Sequence, residues 1–329
     1  MRVLIFTECG SQIGLGHISR CASLYDELED RGIDAELILY GNAMDIEIIK
    51  NKNYQYIDWI SVDFIHHYVK EDDYCIVDSY LADERLYRVI VDRACKCLFI
   101  DDNGRIQYPS GIVINPSLSR SDLYSYLSTD DVLMGPEYII LRRPFVQVTR
   151  EPLRPIVQEA LITLGGSDIH NITQTVLKEI CDQYPAILFN VIIGNTFKNI
   201  DEIKAINRNN VCFHENVSAE EMKNIMENCD LAITAAGQTI YELISTQTPF
   251  IPIRVIENQD NNVVGLLEFN LVETVLDYFS SDFWVKLRDE FERQLSLSAR
   301  SVRYHSCIGV IDGLGSKRII DRLVDRRGA

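Results

Sequence analysis

The sequence predicts an α/β protein with the GT-B-like architecture of two doubly wound, Rossmann-like domains. Three observations carry this prediction: a length of 329 residues, short apolar runs that alternate with helical patterns, and a break in that alternation near the middle. At about 150 residues per domain, the length corresponds to two domains. Two series of strands and helices separated by a break indicate two parallel sheets, and we expect the two domains to face each other across a cleft that holds the ligand.

The first half contains five short apolar runs with many β-branched or aromatic residues and little polar alternation. This pattern is typical of strands that are buried on both faces of a parallel sheet. Between the runs, Ile18, Cys21, Tyr25 and Leu28 are spaced to share one helix face, and residues 82–94 predict a second helix. The strands are predicted at 3–7, 35–40, 74–78, 97–101 and 112–115.

The alternation stops at residues 141–155, where three prolines and four arginines indicate a connector. We therefore predict an N-terminal domain over 1–145, a C-terminal domain over 156–298 and a helical tail over 299–329. Ser218 and Glu221 predict a capping box at the start of one helix. Strands are predicted at 160–164, 187–193, 211–213, 231–234 and 250–253, and helices at 169–184, 218–228, 239–245, 283–299 and 316–326.

Composition and charge exclude several classes of function. The 32 basic and 49 acidic residues give a net charge of −17, which disfavours nucleic-acid binding and insertion into anionic membranes. A small phosphorylated ligand is still allowed, because backbone amides bind phosphate locally. Nine cysteines form no CxxC motif, and no apolar run approaches the roughly 18 residues of a membrane span. We expect a reduced, cytoplasmic protein.

The segment over residues 10–20, GSQIGLGHISR, follows the first predicted strand. Gly10, Gly14 and Gly16 allow a tight turn close to a ligand. His17 lies at the start of a helix, where a positive imidazolium is disfavoured, so a neutral ring that accepts a proton from water or a hydroxyl is one interpretation. The other is a helix-capping histidine without a chemical role. The spacing differs from GxGxxG, which disfavours a nicotinamide enzyme.

The second half opens with LGGSD at residues 164–168, where Gly165 and Gly166 end a strand. Ser167 or Asp168 is suited to cap the following helix, and the amides at that start are suited to hold a phosphate. Turns with two glycines after a strand are common, so this segment is a moderate signal when taken alone.

A further strand ends in the segment LAITAAGQTIYE at residues 231–242. Small residues up to Gly237 allow a pyrophosphate to approach, and Gln238 and Thr239 start the next helix. Glu242 lies one turn later on the same face, where its carboxylate is suited to accept both ribose hydroxyls; the alternative is a solvated helix residue. Polar Asn258 and Gln259 precede another helix.

Acidic residues also follow strands in the first domain. Asp101 and Asp102 come at the end of the fourth predicted strand. One interpretation is that they bind ligand, and the other is that they cap the next turn. The sequence contains no HExxH motif, no zinc-type spacing of Cys and His, no GxSxG elbow and no Walker loop. These motifs therefore give no sign of a metal or other cofactor.

Together, these segments resemble the UDP-2,4-diacetamido-2,4,6-trideoxy-β-L-altropyranose hydrolases of pseudaminic acid biosynthesis. The resemblance covers roughly residues 1–275, with a further Asp312-Gly313-x-Gly315 signal near the end. The segment at 231–242 also resembles the nucleotide-sugar site of GT-B glycosyltransferases related to the lipid II-forming N-acetylglucosaminyltransferase. The matching positions are QIGLGH at 12–17, Asp78, FIDD at 99–102, Asn115, Tyr138 with Leu141 and Arg142, LGGSD at 164–168, and Asn258 with Gln259.

The resemblance implies removal of UDP from an activated diacetamido sugar by water, without a metal. It implies that His17 is the base, that the two glycine-rich segments of the second domain hold UDP, and that Asn258 and Gln259 face the pyrophosphate or the sugar. We expect Asp78 or Asp101 to orient water or sugar. One departure is Glu8, which lies nearest to a position where the family has Asp.

Two other functions remain open at this point. A GT-B glycosyltransferase would use the same His17 to deprotonate an acceptor hydroxyl. A non-catalytic nucleotide-sugar binder would lack the histidine, which this sequence has. The absence of a basic amphipathic segment and the acidic net charge favour the hydrolase. The sequence leaves the stereochemistry of the sugar and the oligomeric state open.

Overall fold

The computed structural model describes residues 1–10, 16–42, 46–119, 122–128, 131–194, 196–206 and 208–325. The chain divides into two compact units. Unit 1 comprises Met1–Arg142 together with the segment from Gly313 onward, and unit 2 comprises Arg143–Asp312. None of the helices within the described residues combines the length and apolar character that crossing a membrane requires.

Unit 1 contains a parallel sheet with the strand order β3-β2-β1-β4-β5-β6-β7. The order reverses between β1 and β4, which are hydrogen-bonded neighbours, so the carboxyl ends of these two strands form the switch point where such sheets bind ligands. The strands are β1 (Arg2–Glu8), β2 (Asp34–Tyr40), β3 (Tyr54–Tyr56), β4 (Asp73–Asp78), β5 (Lys96–Ile100), β6 (Ile112–Asn115) and β7 (Val132–Met134), and the helices are α1 (Gly16–Asp30), α2 (Val62–Tyr68) and α3 (Glu84–Arg93).

Both faces of this sheet are covered, as the sequence pattern predicts. Val3 and Ile5 of β1 pack in the core formed with α1, whereas Leu4 and Phe6 point to the opposite core around Trp59. The five predicted strands of this half are confirmed as β1, β2, β4, β5 and β6. The three-residue strands β3 and β7 were not predicted, because so short a segment carries no recognisable period.

Unit 2 contains a second parallel sheet with the order β10-β9-β8-β11-β12-β13, and its switch point lies between β8 and β11. The predicted capping box is confirmed, since Ser218 accepts from the backbone of Glu221 at 3.2 Å and Glu221 accepts from Ser218 at 2.8 Å. The strands are β8 (Glu159–Thr163), β9 (Leu188–Ile193), β10 (Val211–Glu215), β11 (Leu231–Ala235), β12 (Phe250–Arg254) and β13 (Leu276–Asp277), and the helices are α4 (Ile172–Glu179), α5 (Ile200–Lys204), α6 (Ala219–Asn228), α7 (Thr239–Ser245), α8 (Asp260–Glu268), α9 (Phe283–Gln294) and α10 (Leu297–Cys307).

Two predicted helices differ from the structure by more than two residues at one end or both. The helix predicted at 169–184 is shorter, because the carboxylate of Asp168 accepts from the backbone N–H groups of Ile172 and Thr173 and starts α4 there. The helix predicted at 283–299 is divided, because Ser296 has extended backbone angles (φ −68°, ψ 130°) between α9 and α10. Local backbone geometry of this kind overrides a continuous helical pattern.

The last helix, α11 (Gly315–Val324), packs in unit 1. Its Ile319, Ile320 and Leu323 are fully buried in the core that contains α1. Gly315 is required at its start, because a Cβ atom there would lie 2.0 Å from the carbonyl oxygen of Ile139. Of the segment 299–329 that the sequence predicts as a tail, residues 299–312 lie in unit 2 and residues from 313 onward in unit 1.

Candidate active site

The switch point of unit 1 brings His17 and Asp78 together. His17 is the second residue of α1, and Asp78 is the last residue of β4. The imidazole Nδ1 lies 2.7 Å from Oδ1 of Asp78, and the two residues are only 4% and 0% exposed. A carboxylate only accepts hydrogen bonds, so this contact requires a proton on Nδ1, and in the neutral ring the lone pair then lies on Nε2. Nη2 of Arg20 also lies 3.1 Å from Nδ1, but its shorter contact, at 2.6 Å, is to Oδ1 of Asp78.

Arg20 binds the other side of the same carboxylate. It lies one helical turn after His17 and donates from Nε to Oδ2 of Asp78 at 2.5 Å and from Nη2 to Oδ1 at 2.6 Å. Its Nη1 donates to Asp102 at 2.9 Å. Burial by itself would raise the pKa of Asp78, but the guanidinium of Arg20 and the ring of His17 outweigh it and hold that pKa well below the usual range.

Nε2 of His17 has no hydrogen-bond partner among the residues that the structure describes. A neutral imidazole that donates from Nδ1 to a buried carboxylate and keeps Nε2 unengaged is suited to act as a general base. The carboxylate holds the ring in one orientation and stabilises the imidazolium that forms when Nε2 takes a proton.

Tyr80 covers one side of the histidine. Its ring lies edge-on to the imidazole with centroids 4.4 Å apart, and its hydroxyl donates to Asp102 at 2.7 Å. Burial, followed by the negative charge of Asp102, raises the pKa of Tyr80, so the hydroxyl keeps its proton at neutral pH.

Glu8 fixes the backbone that carries Tyr80. This residue ends β1, is fully buried, and accepts from the N–H groups of Tyr80 at 3.2 Å and Leu81 at 2.8 Å and from the hydroxyl of Ser79. The family resemblance places an aspartate near this position, and the longer Glu8 here ties the end of β1 to the loop after β4.

Asp101 has different contacts from Asp78. Its carboxylate accepts from the backbone N–H groups of Asn103, Gly104 and Arg105 at 2.9, 3.1 and 3.2 Å, and the residue is 1% exposed. These bonds match the turn-capping alternative. Burial is the main cause that raises the pKa of Asp101.

The loop that precedes His17 is only partly described. Gly10 and Gly16 lie in the structure, and a Cβ atom at either would meet nothing within 4 Å. Gly16 is exposed and begins α1. Gly14, together with the rest of the segment 11–15, lies outside the described residues.

In unit 2, the LGGSD segment leaves the carboxyl end of β8. Gly165 has a φ of +82°, which favours glycine. Gly166 and Ser167 are exposed, whereas Asp168 is buried and caps α4. The residues predicted to hold phosphate therefore present backbone and one hydroxyl, with the carboxylate turned to the helix.

Residues after β9 hold this loop in place, and sequence reasoning did not find them. Thr196 donates from its backbone and its hydroxyl to the carbonyl of Gly166, at 3.0 and 2.7 Å. A Cβ atom on Gly194 would lie 2.5 Å from the carbonyl oxygens of Gly165 and Gly166. The only sequence signal for this contact is a glycine directly after a strand.

The predicted residues Gly237 and Gln259 follow two neighbouring strands, β11 and β12. Gln259 accepts from the N–H of Val255 at 2.9 Å, and its Nε2 is 3.7 Å from the position of a Cβ atom on Gly237. The structure thus brings Gly237 and Gln259 together. Glu242 is 9% exposed on α7, and the remaining predicted residues differ in exposure: Gln238 and Asn258 are exposed and Thr239 is half-buried.

The described residues contain no group of three or more His, Cys, Asp or Glu side chains that could hold a metal ion. The charged residues of the unit 1 site are instead bonded to one another through Arg20.

The fold is that of the GT-B class, as the sequence predicts. The crystal structure of Acinetobacter baumannii MurG superposes with a TM-score of 0.63 at 13% identity, covering 98% of this chain and 99% of that one. At such identity the likeness concerns the fold alone. No protein-family model matches the sequence.

Two relatives with named activities indicate which activity within this fold class the chain resembles. The chain is 28% identical over 293 residues to the Helicobacter pylori pseudaminic acid cytidylyltransferase and UDP-2,4-diacetamido-2,4,6-trideoxy-β-L-altropyranose hydrolase, covering 86% of this chain but only half of that protein. It is 24% identical over 281 residues to the Campylobacter jejuni UDP-2,4-diacetamido-2,4,6-trideoxy-β-L-altropyranose hydrolase, covering 81% of this chain and 96% of that one. The resemblance predicted from the sequence is confirmed by these relatives.

Proposed function

We propose that this protein is an enzyme that hydrolyses a UDP-linked 2,4-diacetamido-2,4,6-trideoxy sugar to UDP and the free sugar, as a step toward pseudaminic acid. The observation that carries the proposal is the buried His17–Asp78 pair, which leaves Nε2 of His17 available as a base. The names of the two relatives supply the substrate class. The nine free cysteines suit a reducing compartment, and we propose the cytoplasm.

In this proposal, unit 2 binds the UDP moiety. The turn of Gly165, Gly166 and Ser167, of which the last two residues are exposed, offers backbone N–H groups to the pyrophosphate. Glu242 accepts from the ribose hydroxyls, next to the small and polar residues Gly237, Gln238 and Thr239. Asn258 and Gln259 donate to a phosphate or to the sugar.

Unit 1 carries out the chemistry, with contributions from Gly14 and Gly16 to sugar binding. His17 takes a proton from water at Nε2 while the water oxygen attacks the anomeric carbon. The bond from that carbon to the UDP oxygen breaks, and its electron pair leaves with UDP. Asp78 stabilises the imidazolium, which then releases its proton to solvent. Attack by a single water inverts the anomeric centre, and no metal takes part.

The test is to incubate the purified protein with the UDP-linked diacetamido-trideoxy sugar, without an acceptor, and to follow the reaction by NMR. We expect UDP and free sugar in equal amounts, with the first sugar formed in the inverted anomeric configuration. Release that occurs only when an acceptor sugar is present would instead establish the glycosyltransferase. UDP binding without turnover under either condition would indicate a binding protein.

A further inference from the structure

Five side chains of unit 1 form a closed ring of contacts. The carboxylate of Asp78 binds His17 on one side and Arg20 on the other, at 2.7 and 2.5–2.6 Å. Arg20 continues to Asp102 at 2.9 Å, and Asp102 accepts from Tyr80 at 2.7 Å. The ring closes where the aromatic face contact joins Tyr80 to His17. The sequence analysis assigns no role to Arg20, and Arg20 has none in the reaction proposed above.

We propose that Arg20 is a positioning residue that fixes the orientation of the His17 base and of the Tyr80 ring beside it through one guanidinium. This inference rests on the proposed function, since it assigns how the base of that reaction is held. Arg20 itself touches neither water nor substrate in the proposed step.

The shape of the side chain supports this role. Arg20 is 7% exposed and uses Nε and Nη2 on Asp78 and Nη1 on Asp102, so that a planar fork spans two carboxylates. A lysine carries a single ammonium on a flexible stem and does not reproduce a bidentate contact together with a second carboxylate.

The charges of the ring support it as well. Two carboxylates and one guanidinium leave a net charge of −1 beside a neutral His17 and zero once Nε2 has taken a proton. Without Arg20, the carboxylate of Asp78 beside the imidazole would lose its guanidinium partner, and an unpaired carboxylate favours the charged form of a neighbouring histidine. The titratable groups that face His17 and Asp78 are Arg20 and Cys21 from α1, Tyr80 after β4, and Asp102 after β5.

A separate anchor means that Arg20 is not needed to hold the loop after β4. Glu8 binds the backbone of Tyr80 and Leu81 from β1. When Arg20 is replaced, we therefore expect the side chains of His17 and Tyr80 to adopt other orientations while the backbone of the loop stays in place.

The experiment compares Arg20→Met and Arg20→Lys with Arg88→Met, a control on an exposed arginine that pairs with Glu84 on α3. We expect Arg20→Met to lower kcat by about 100-fold, the order of loss that a misplaced catalytic group causes. The acidic limb of its pH profile should move to higher pH, and its affinity for UDP should be unchanged. Arg20→Lys should restore the position of that limb but only part of the rate. Arg88→Met should match the wild type.

A second readout does not depend on turnover. In protein with ¹⁵N-labelled histidine, the ring signals of His17, assigned with a His17→Asn variant, should show the Nδ1-protonated tautomer in the wild type and a mixture or the charged ring in Arg20→Met. An unchanged tautomer, or an Arg20→Lys enzyme with full kcat, would overturn the inference. The inference would also be overturned if the Arg20 variants lost rate only when they also lost UDP binding and cooperative unfolding. If the wild type does not hydrolyse the sugar, the proposed function fails, and the tautomer measurement still tests the arrangement.

Discussion

The carboxyl edges of the two sheets are built on the same topology but with opposite chemistry. In unit 1, the edge carries His17, Arg20 and Asp78, which are charged or titratable, almost fully buried and bonded to one another. In unit 2, the corresponding edge after β8 carries Gly166 and Ser167, which are small and exposed. Under the proposed function, this difference means that the two units divide the work: the edge of unit 1 holds the base, and the edge of unit 2 offers backbone groups to the ligand.

Electrostatics explains why the buried charges of the unit 1 edge are bonded to one another. Buried charges are costly unless they are paired and hydrogen-bonded. Arg20 pairs with Asp78 and Asp102 together, so the charges of these two carboxylates are compensated within unit 1. Exposed backbone N–H groups in unit 2 carry no such cost, and an anion gains hydrogen bonds there without a network that needs rearranging.

The largest effect is expected from His17→Ala. Because a general base contributes about 10²- to 10⁴-fold to a rate, kcat should fall by that order. UDP affinity, measured by calorimetry, should stay within about twofold of the wild type, which is under half a kcal/mol. An equal loss of UDP binding would break the division of work and give His17 a role in holding the ligand.

Gly166→Val is the corresponding test of ligand binding in unit 2. A Cβ atom at Gly166 would meet nothing within 4 Å, so the variant is expected to fold. Its side chain would stand where we propose that the phosphate approaches. Losing one charge-assisted hydrogen bond weakens binding by about 10- to 100-fold. KM should rise by that factor while kcat at saturation changes little. A lower kcat with unchanged KM would place the chemistry, and not the binding, in unit 2.

The residues at each carboxyl edge could be predicted from the sequence better than the hydrogen bonds between them. Strands buried on both faces are visible as continuous apolar runs, and the position of His17 after the first strand followed from its glycine-rich segment. The partner of its ring lies 61 residues away, and the second carboxylate on Arg20 lies 82 residues away. Which of several acidic residues accepts a given bond depends on strand order and side-chain orientation, and a single sequence contains neither.

Asp78 and Asp101 illustrate this limit. Both lie at the carboxyl ends of strands of the same sheet, and the sequence predicts them as equivalent candidates to orient water or sugar. Asp78 ends its strand inside the charged network, whereas Asp101 accepts three backbone N–H groups of the next turn. Two carboxylates at similar positions in the sequence pattern therefore have different partners, which the pattern alone does not distinguish.

Acid should destabilise unit 1 before unit 2. Despite burial, Arg20 lowers the pKa of both Asp78 and Asp102. A lowered pKa stabilises the folded state above the ordinary value near 4, and this contribution is lost as the pH falls through the lowered values. Between pH 6 and pH 3, we expect the Tm of unit 1 to fall by about 5 °C more than that of unit 2, which corresponds to a difference of roughly 1–2 kcal/mol.

The two tryptophans of the chain make this measurable, because Trp59 lies in unit 1 and Trp284 in unit 2. Fluorescence of a Trp284→Phe variant reports unit 1, and that of a Trp59→Phe variant reports unit 2. Equal shifts of the two transitions would mean that the charged ring adds no acid sensitivity of its own.

The smallest effect is expected from Asp168→Ala, which tests whether every carboxylate at these edges belongs to the chemistry. Asp168 accepts from the N–H groups of Ile172 and Thr173 at 2.8 and 2.7 Å, so it acts as a cap for α4. Removing a cap costs about 1 kcal/mol, and the Tm of unit 2 should fall by about 2–4 °C. Because the carboxylate faces the helix, kcat should be unchanged, and Asp168→Asn, which keeps an acceptor oxygen, should recover most of the stability. A rate loss in Asp168→Ala at full occupancy with substrate would show that unit 2 contributes a charged group to the reaction after all.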